Sequence, residues 1–543
     1  MSYLNSVIDK FLKNSTRVYL IFANVLLVVF GIWFSNVGVL PFKTAGDFTF
    51  FMLLTLALAI YRPTWMFLFF VGTIMLETVS LAPDSFGITV RPYQLFGAVT
   101  LAAIIIKIAT RRMHFELPKW RWIDGVAIAF AIGGFASALF SASKGVAFKQ
   151  SIIALSFVAL YFLARIFVQS WDDLKRVMPF FLSSSLVVVL YGILQNILFA
   201  TGRNSFEVMP GRPNGTFSEA DWYGLFLTFV LAAIYCLIMS SEQRTVNSGN
   251  TLRIIVLWSL ITVTTVALIL TVSRSAWLGA IIITLGFLKV TLLRKSHPEL
   301  AAGPFKRFLA VFKNPDWSGL FRALSFVVGI LIISVGIVYV CKLTTFQLGS
   351  RAVSTGGMQK ITIACEGGST ASVPSNISSV EELAQYGCRH INLEDIANEK
   401  SKGLEILEVN RPDPNVGIRA KIYRTSWEQI KQHSIFGIGW GNIGDILGRD
   451  ERGAALNASN IFLETWLGAG ILGFLSLVIL LGYIFVAGVK RWFGDTNKTT
   501  SVFILLALFA IIIPNLFNSG IFLGFVWVYL GVVVSLLQDK KVS

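Results

Sequence analysis

Residues 252–290 read LRIIVLWSLITVTTVALILTVSRSAWLGAIIITLGFLKV, an apolar run interrupted only at Ser273-Arg274-Ser275. At about 1.5 Å per helical residue, this run is far longer than one bilayer crossing. It therefore folds as a hairpin of two spans, with Arg274 at the bend. Similar apolar stretches recur along the 543-residue chain and place fourteen spans. Their centres are near residues 28, 54, 74, 101, 132, 158, 189, 231, 262, 284, 333, 474, 508 and 528. The second and third are short and share the break at Arg62-Pro63, since a residue before proline is pushed out of the helical region. The expected fold is an all-α polytopic membrane protein of about fourteen transmembrane helices.

Composition agrees. Hydrophobic residues make up 55% of the chain and charged ones 14%, with a mean hydropathy of +0.70. A soluble domain of this size is excluded. The net charge of +16 does not point to nucleic acid, because Lys and Arg of a membrane protein collect at cytoplasmic ends. With the N-terminus inside, the cytoplasmic segments hold Lys10, Lys13 and Arg17. They also hold Lys107, Arg111, Arg112, Lys119 and Arg121, then Arg165, Lys175 and Arg176. Two further groups complete the set: Lys289, Arg294, Lys295, Lys306, Arg307, Lys313 and Arg322, then Lys490, Arg491 and Lys498. The short outer loops carry only Lys43, Arg91, Lys144, Lys149, Arg203, Arg212 and Arg274. This asymmetry places both termini in the cytoplasm and the long segment 344–456 outside. The first apolar run has a basic flank and no small-residue cleavage site, so it reads as a retained span.

The long outer segment separates spans 1–11 (residues 1–343) from spans 12–14 (457–543). Its first part is polar and contains Cys365 and Cys388. A cysteine pair in an extracytoplasmic loop is expected to form a disulfide, the alternative being two free thiols. Residues 419–433 read as an amphipathic helix. Lys421, Arg424, Glu428 and Lys431 form its solvated face, and Tyr423, Trp427 and Ile430 the face that packs. Arg419 falls on the apolar side, either aimed into a cavity or snorkelling. The glycine-rich run Gly437 to Asn442 is a turn that lets backbone approach something closely. It lacks the Lys-Ser/Thr ending of a phosphate-binding loop.

Three arginines thus meet the outer surface: Arg212 in GRPNGTF, Arg274 in TVSRSAWLG and Arg419 in IRAKIYRTSW. Arginine near hydrocarbon is costly without a partner or a task, and its fork grips phosphate oxygens in pairs. Backbone donors at the start of the tenth span, beside Ser273, would favour an anion at the same spot. Asp221, just after Arg212, is an arginine partner or a catalytic base. Asn460 and Glu464 share one face of a helix entering the bilayer. An acid there is a functional candidate by default, the plainer reading being an ion pair. The four histidines, 114, 297, 390 and 433, are scattered, and no metal cluster is visible.

These pieces, in this order, resemble the O-antigen ligase/polymerase family of the Wzy and WaaL type. Arg212-Pro-Asn-Gly-Thr-Phe217 matches an Arg-x-x-Gly-Thr-Phe stretch, with Glu219-Ala220-Asp221 in place of an Asn-Pro-Asn-like triplet. Ser273 to Trp277 matches a Ser-Arg-Gly/Ser-Ala-Trp stretch, and Arg419 through Gly439 an Arg ahead of an amphipathic helix ending in Pro-Leu-x-Gly-x-Gly. Ser459-Asn460-Ile461-Phe462-Leu463 and Gly470-Ile471-Leu472-Gly473 match the closing stretch. The likeness runs from about residue 203 to 475. It implies a glycosyltransferase of the GT-C type in a bacterial plasma membrane, working at the extracytoplasmic face. Such an enzyme moves a glycan from a polyprenyl (undecaprenyl) diphosphate carrier to the hydroxyl of a glycan or glycolipid acceptor, with no nucleotide sugar and no cofactor.

On this reading Arg212, Arg274 and Arg419 clamp the diphosphate in place of a metal. Ser459 stands where the family's ligases carry a proposed general-base histidine, and serine is no base near neutral pH without help. That leaves Asp221 or Glu464 for the catalytic carboxylate, with Ser273, Ser459 and Asn460 in support. Ligase, chain polymerase and protein O-glycosyltransferase all stay open. A glycolipid flippase or transporter is the alternative from another class; it predicts charges inside many helices and internal duplication.

Overall fold

The computed structural model describes residues 2–38, 42–86, 89–112, 117–208, 211–242, 251–293, 316–343, 358–366, 373–391, 396–412, 414–449, 455–494 and 498–538. The side chains of Lys10 and Lys13, and residues His114, Arg294, Lys295, His297, Lys306, Arg307 and Lys313, lie outside the described part. The chain is an all-α polytopic membrane protein. Among the described residues, ten helices are long and apolar enough to cross a membrane, and four shorter apolar ones accompany them. The fourteen stand at or beside the expected centres. They are α1 (Ser2–Val37), α2 (Ala45–Tyr61), α3 (Pro63–Thr73), α4 (Pro92–Ala109), α5 (Trp122–Phe140), α6 (Lys144–Phe167) and α7 (Trp171–Ala200). Then come α8 (Ala220–Glu242), α9 (Thr251–Leu270), α10 (Arg274–Leu292) and α11 (Trp317–Val340). Further along lie α15 (Ile461–Gly494), α16 (Lys498–Asn515) and α17 (Gly524–Leu536).

Two compact units form: residues 1–343 with 428–543, and residues 344–427. In the first, α8 is the central helix: 94% of its apolar stretch is buried, against 17% for α1. It packs with α10 and α16, which also pack on each other. Small residues set the close approach. A Cβ on Gly224 of α8 would lie 2.7 Å from the Ala276 Cβ, and one on Gly279 would lie 3.1 Å from the Pro514 ring. The 252–290 run does fold as a hairpin. It bends at Thr271-Val272-Ser273, with Val272 at φ 51°, and Arg274 is the first residue of α10. One Arg17 guanidinium nitrogen donates to the Arg176 carbonyl oxygen at 3.0 Å. The start of α7 therefore lies beside Arg17, where the apolar part of α1 begins.

The glycine-rich run does approach backbone closely. Gly470 (φ 63°, ψ −167°) breaks α15, and a break strands the carbonyls and N–H groups on either side of it. The turn after residue 432 satisfies them. Ile438 and Gly439 N–H groups donate to the Leu467 oxygen at 2.7 and 3.2 Å, and Ile471 N–H donates to the Ile435 oxygen at 3.0 Å. The turn thereby seats Trp440 in the core, 5.0 Å from the Phe522 ring and 6.1 Å from Phe130.

The second unit holds an antiparallel sheet of order β2-β1-β3, from β1 (Met358–Cys365), β2 (Cys388–His390) and β3 (Glu405–Pro412). Cys365 and Cys388 face each other in the β1–β2 register and are joined by a disulfide. Ile361, Ile363, Ile377, Leu383 and Val409 complete its small core. A short helix α12 (Ile396–Ser401) precedes β3. The amphipathic helix is α13 (Pro414–Gln432), and a short α14 (Ile443–Leu447) follows the turn. The unit boundary at 427 falls inside α13, so residues 428–456 go with the membrane unit. Lys421, Arg424, Glu428 and Lys431 are exposed as expected. The packing stripe differs from expectation: it runs Ile422, Ser426, Ile430, all buried, while Trp427 is 48% exposed. One residue is about 100° of helix rotation, which turns Trp427 away from a stripe centred on Ser426.

Candidate active site

The GRPNGTF stretch is folded into the bundle almost residue by residue. Arg212 and Asn214 through Phe217 are all buried. Gly215, at φ 54°, presses on the Tyr223 ring, where a Cβ would lie at 3.0 Å, and its N–H donates to Gln195 Oε1 at 2.7 Å. Thr216 accepts at its carbonyl from the N–H groups of Glu77 and Thr78, at 3.1 and 3.0 Å. Phe217 packs on Tyr223 and Phe226. The motif is thus a rigid mount for one charged side chain. Arg212 Nε donates to the Thr271 carbonyl at 3.1 Å, and Nη2 pairs with Asp221 Oδ1 at 3.3 Å.

Asp221 lies in the first turn of α8, where helix N-terminal charge favours a carboxylate. The Ser273 hydroxyl donates to the same Asp221 oxygen at 2.5 Å. Ser273 is the N-cap of α10, so the α9–α10 bend is held to the start of α8. The chain of polar contacts continues. Ser273 and Ser275 hydroxyls are 3.3 Å apart, and Asn518 Nδ2 donates to Ser275 Oγ at 3.0 Å. Asn460 Nδ2 donates to the Leu516 carbonyl at 3.0 Å, in the same turn as Asn518. Arg212, Asp221, Ser273 and Asn460 are therefore gathered at one end of α8, α10, α15 and α16. Arg274, half-buried, opens α10 beside them.

The other expected residues are placed as follows. Asn460 Oδ1 accepts from the N–H groups of Phe462 and Leu463, at 2.9 and 3.2 Å, capping α15. Glu464 is buried and its Oε2 accepts from the Ala458 N–H at 2.6 Å. Ser459 has φ 49° and its N–H donates to Asn457 Oδ1 at 2.8 Å. Arg419 lies in the second unit, half-buried on α13.

Sequence reasoning missed a buried acid. Glu77 Oε1 accepts from the Gly524 N–H at 3.0 Å, and Oε2 from the Tyr93 hydroxyl at 2.9 Å. Arg91 Nε lies 3.2 Å from Oε2. Because Glu77 N–H also holds Thr216, this cluster fixes the Arg212 mount against α4 and α17. The signal was present: an acid within MLETVS, at the end of an apolar run, is a candidate by default. Asn518, in the Asn-Ser-Gly turn, carried no comparable mark.

The gathered residues are mounts for charge at the ends of apolar helices, and the comparisons with known proteins bear on them. The family model described as O-Antigen ligase matches residues 259–478. Over those residues the chain is similar to the O-antigen ligase family. No curated protein and no solved structure matches. The match supports a membrane glycan ligase or polymerase in general terms, a glycosyltransferase-like enzyme. Within the matched residues fall Ser273, Arg274, Arg419, Ser459, Asn460 and Glu464, whereas Arg212 and Asp221 precede them.

Proposed function

We propose that the protein is a metal-independent glycosyltransferase that takes a glycan from a polyprenyl diphosphate carrier. It passes the glycan to a glycan or glycolipid hydroxyl at the extracytoplasmic face of a bacterial plasma membrane. The observation that carries the reading is the Arg212–Asp221–Ser273 cluster, set beside Arg274 at the N-termini of α8 and α10. The leaving group is a lipid diphosphate, and fixed cations stabilise the charge that develops on it. Arg274 and Arg419 hold the diphosphate; Arg212, already engaged by Asp221 and Thr271, orders the site.

The acceptor oxygen forms its bond to the anomeric carbon as the bond from that carbon to the phosphate oxygen breaks. The acceptor's proton passes to a carboxylate. Asp221, with 28% of its side chain exposed, is the accessible choice. Glu464, buried and holding the Ala458 N–H, suits positioning of the segment that carries Ser459. Both termini are cytoplasmic on the Lys and Arg distribution.

The test is transfer in vitro. Purified protein is supplied with a polyprenyl-diphosphate oligosaccharide in the presence of EDTA. Release of polyprenyl diphosphate with glycan lengthening marks a polymerase; release with a modified non-glycan acceptor marks a ligase. Bound donor that is never cleaved, but crosses the bilayer intact, would replace this reading with a transporter.

A further inference from the structure

A charged cavity sits far from the candidate active site. It opens where α2 stops at Arg62 and Pro63 begins α3, because the pre-proline residue leaves the helical region (φ −134°, ψ 72°). The break parts the helix surface beside α1 and α7 and leaves a cavity of about 700 Å³. Four cations line it: Arg17, Arg62, Lys107 and Arg176. The single carboxylate among the lining residues is Asp173. That carboxylate is already committed, accepting from the Ser170 N–H at 3.1 Å and lying 3.6 Å from Arg176.

The remaining wall is apolar and aromatic. Leu20, Phe67, Phe167 and Phe180 line it, and the Arg62 guanidinium lies over the Tyr61 and Trp65 rings, at 4.9 and 5.7 Å. Cations at a helix break, aromatic rings beside them and an apolar wall below form the pattern of a bilayer boundary. Asp173 opens α7, whereas Gln195 near its other end holds the Arg212 mount. Twenty-two helical residues separate them, roughly 33 Å.

We propose that this cavity binds the phosphate headgroup of an anionic membrane glycerophospholipid, with an acyl chain lying along the apolar wall. Arg62 faces the phosphate from the α2–α3 break and Lys107 from α4, with Arg17 and Arg176 on α1 and α7. The site is separate from the one that would take the glycan donor, and it stands or falls without it.

Full-length protein in detergent is titrated with phosphatidylglycerol or phosphatidylcholine, and retained lipid is counted by native mass spectrometry. The wild type is expected to hold phosphatidylglycerol in preference to phosphatidylcholine. Arg62→Gln/Lys107→Gln is expected to lose that preference by roughly tenfold or more, while Lys144→Gln, an exposed cation elsewhere, keeps it. Equal retention of the two lipids by wild-type protein would overturn the proposal without any variant. So would a double variant that folds and binds phosphatidylglycerol like the wild type. Stabilisation by inorganic phosphate, without preference between the lipids, would mean a free-anion site and would overturn it too.

Discussion

Ser273 and Asp221 share a 2.5 Å hydrogen bond between residues that open two different helices. The same carboxylate oxygen receives the Arg212 guanidinium, so one acid joins the start of α8, the α9–α10 bend and the RPNGTF mount. Asp221→Asn keeps the shape and removes the charge. Turnover on a polyprenyl-diphosphate donor is expected to fall about 10²-fold or more, the usual worth of a positioned base. Wild-type rates from the folded variant would remove Asp221 from the chemistry and leave it a structural partner of Arg212.

Arg274 and Arg419 are expected to act on the leaving group. Arg274→Ala and Arg419→Ala should each lower turnover by about 10²–10³-fold, as loss of one transition-state donor does. The melting temperature should move little, because each side chain is only half-buried. Lysine at either position restores charge but not the paired donors, so partial rescue is expected. Retained turnover in either alanine variant contradicts the clamp.

Gly470 is a conformational requirement. Its φ of 63° with ψ −167° is territory essentially reserved for glycine. A Cβ there would also collide with the Ile435 carbonyl and lie 2.7 Å from the Phe436 carbonyl carbon. Gly470→Ala is expected to cost several kcal/mol, with strain and the lost turn contacts combined. Gly482, in the same helix with nothing within 4 Å of its Cβ position, is the control. Equal melting temperatures for Gly470→Ala and Gly482→Ala in detergent would refute the account.

What could be read from the chain follows from the range of each interaction. The spans were legible because twenty apolar residues are a local signal, and the Ser273-Arg274-Ser275 bend announced itself by interrupting one. Arg212 and Asp221 were visible as charges at membrane ends. The distant contacts around them were not: the Ser273 hydroxyl that reaches Asp221 comes from 52 positions away, and the Gly524 N–H that holds Glu77 from 447. Asn518 looked like an ordinary turn residue because its link to Ser275 spans 243 positions. The sheet was missed for a different reason. Ile361, Ile363 and Cys365 do alternate towards one core, but the strand sits in a polar segment. The Trp427 orientation failed by one position, since a stripe of three residues does not define a helix face that finely.

The Cys365–Cys388 disulfide pins β2 to β1 at the edge of the three-stranded sheet. Cross-linking a loop of this length contributes about 3 kcal/mol in the chain-entropy model. Cys365→Ser/Cys388→Ser should leave the transmembrane helices protected and raise amide exchange across 358–365 and 388–390. Unchanged exchange in the full-length variant would show that the Ile363 core suffices without the bridge.

Glu399 supplies a pH dependence in the same unit. It accepts from Lys402 Nζ at 3.0 Å and from Arg389 at 2.5 Å. The Lys402 hydrogen bond, with Arg389 adding to it, holds its carboxyl below the ordinary value of 4.5. A lowered folded-state pKa favours the ionised folded form, so the contribution is full above 4.5 and drains as pH falls through the lowered value. Acidification should therefore raise amide exchange in α12 and β2 before the transmembrane helices respond. Glu399→Gln should abolish that acid-dependent component while leaving exchange near neutral pH already elevated. An identical acid profile in the variant would assign the transition to another group.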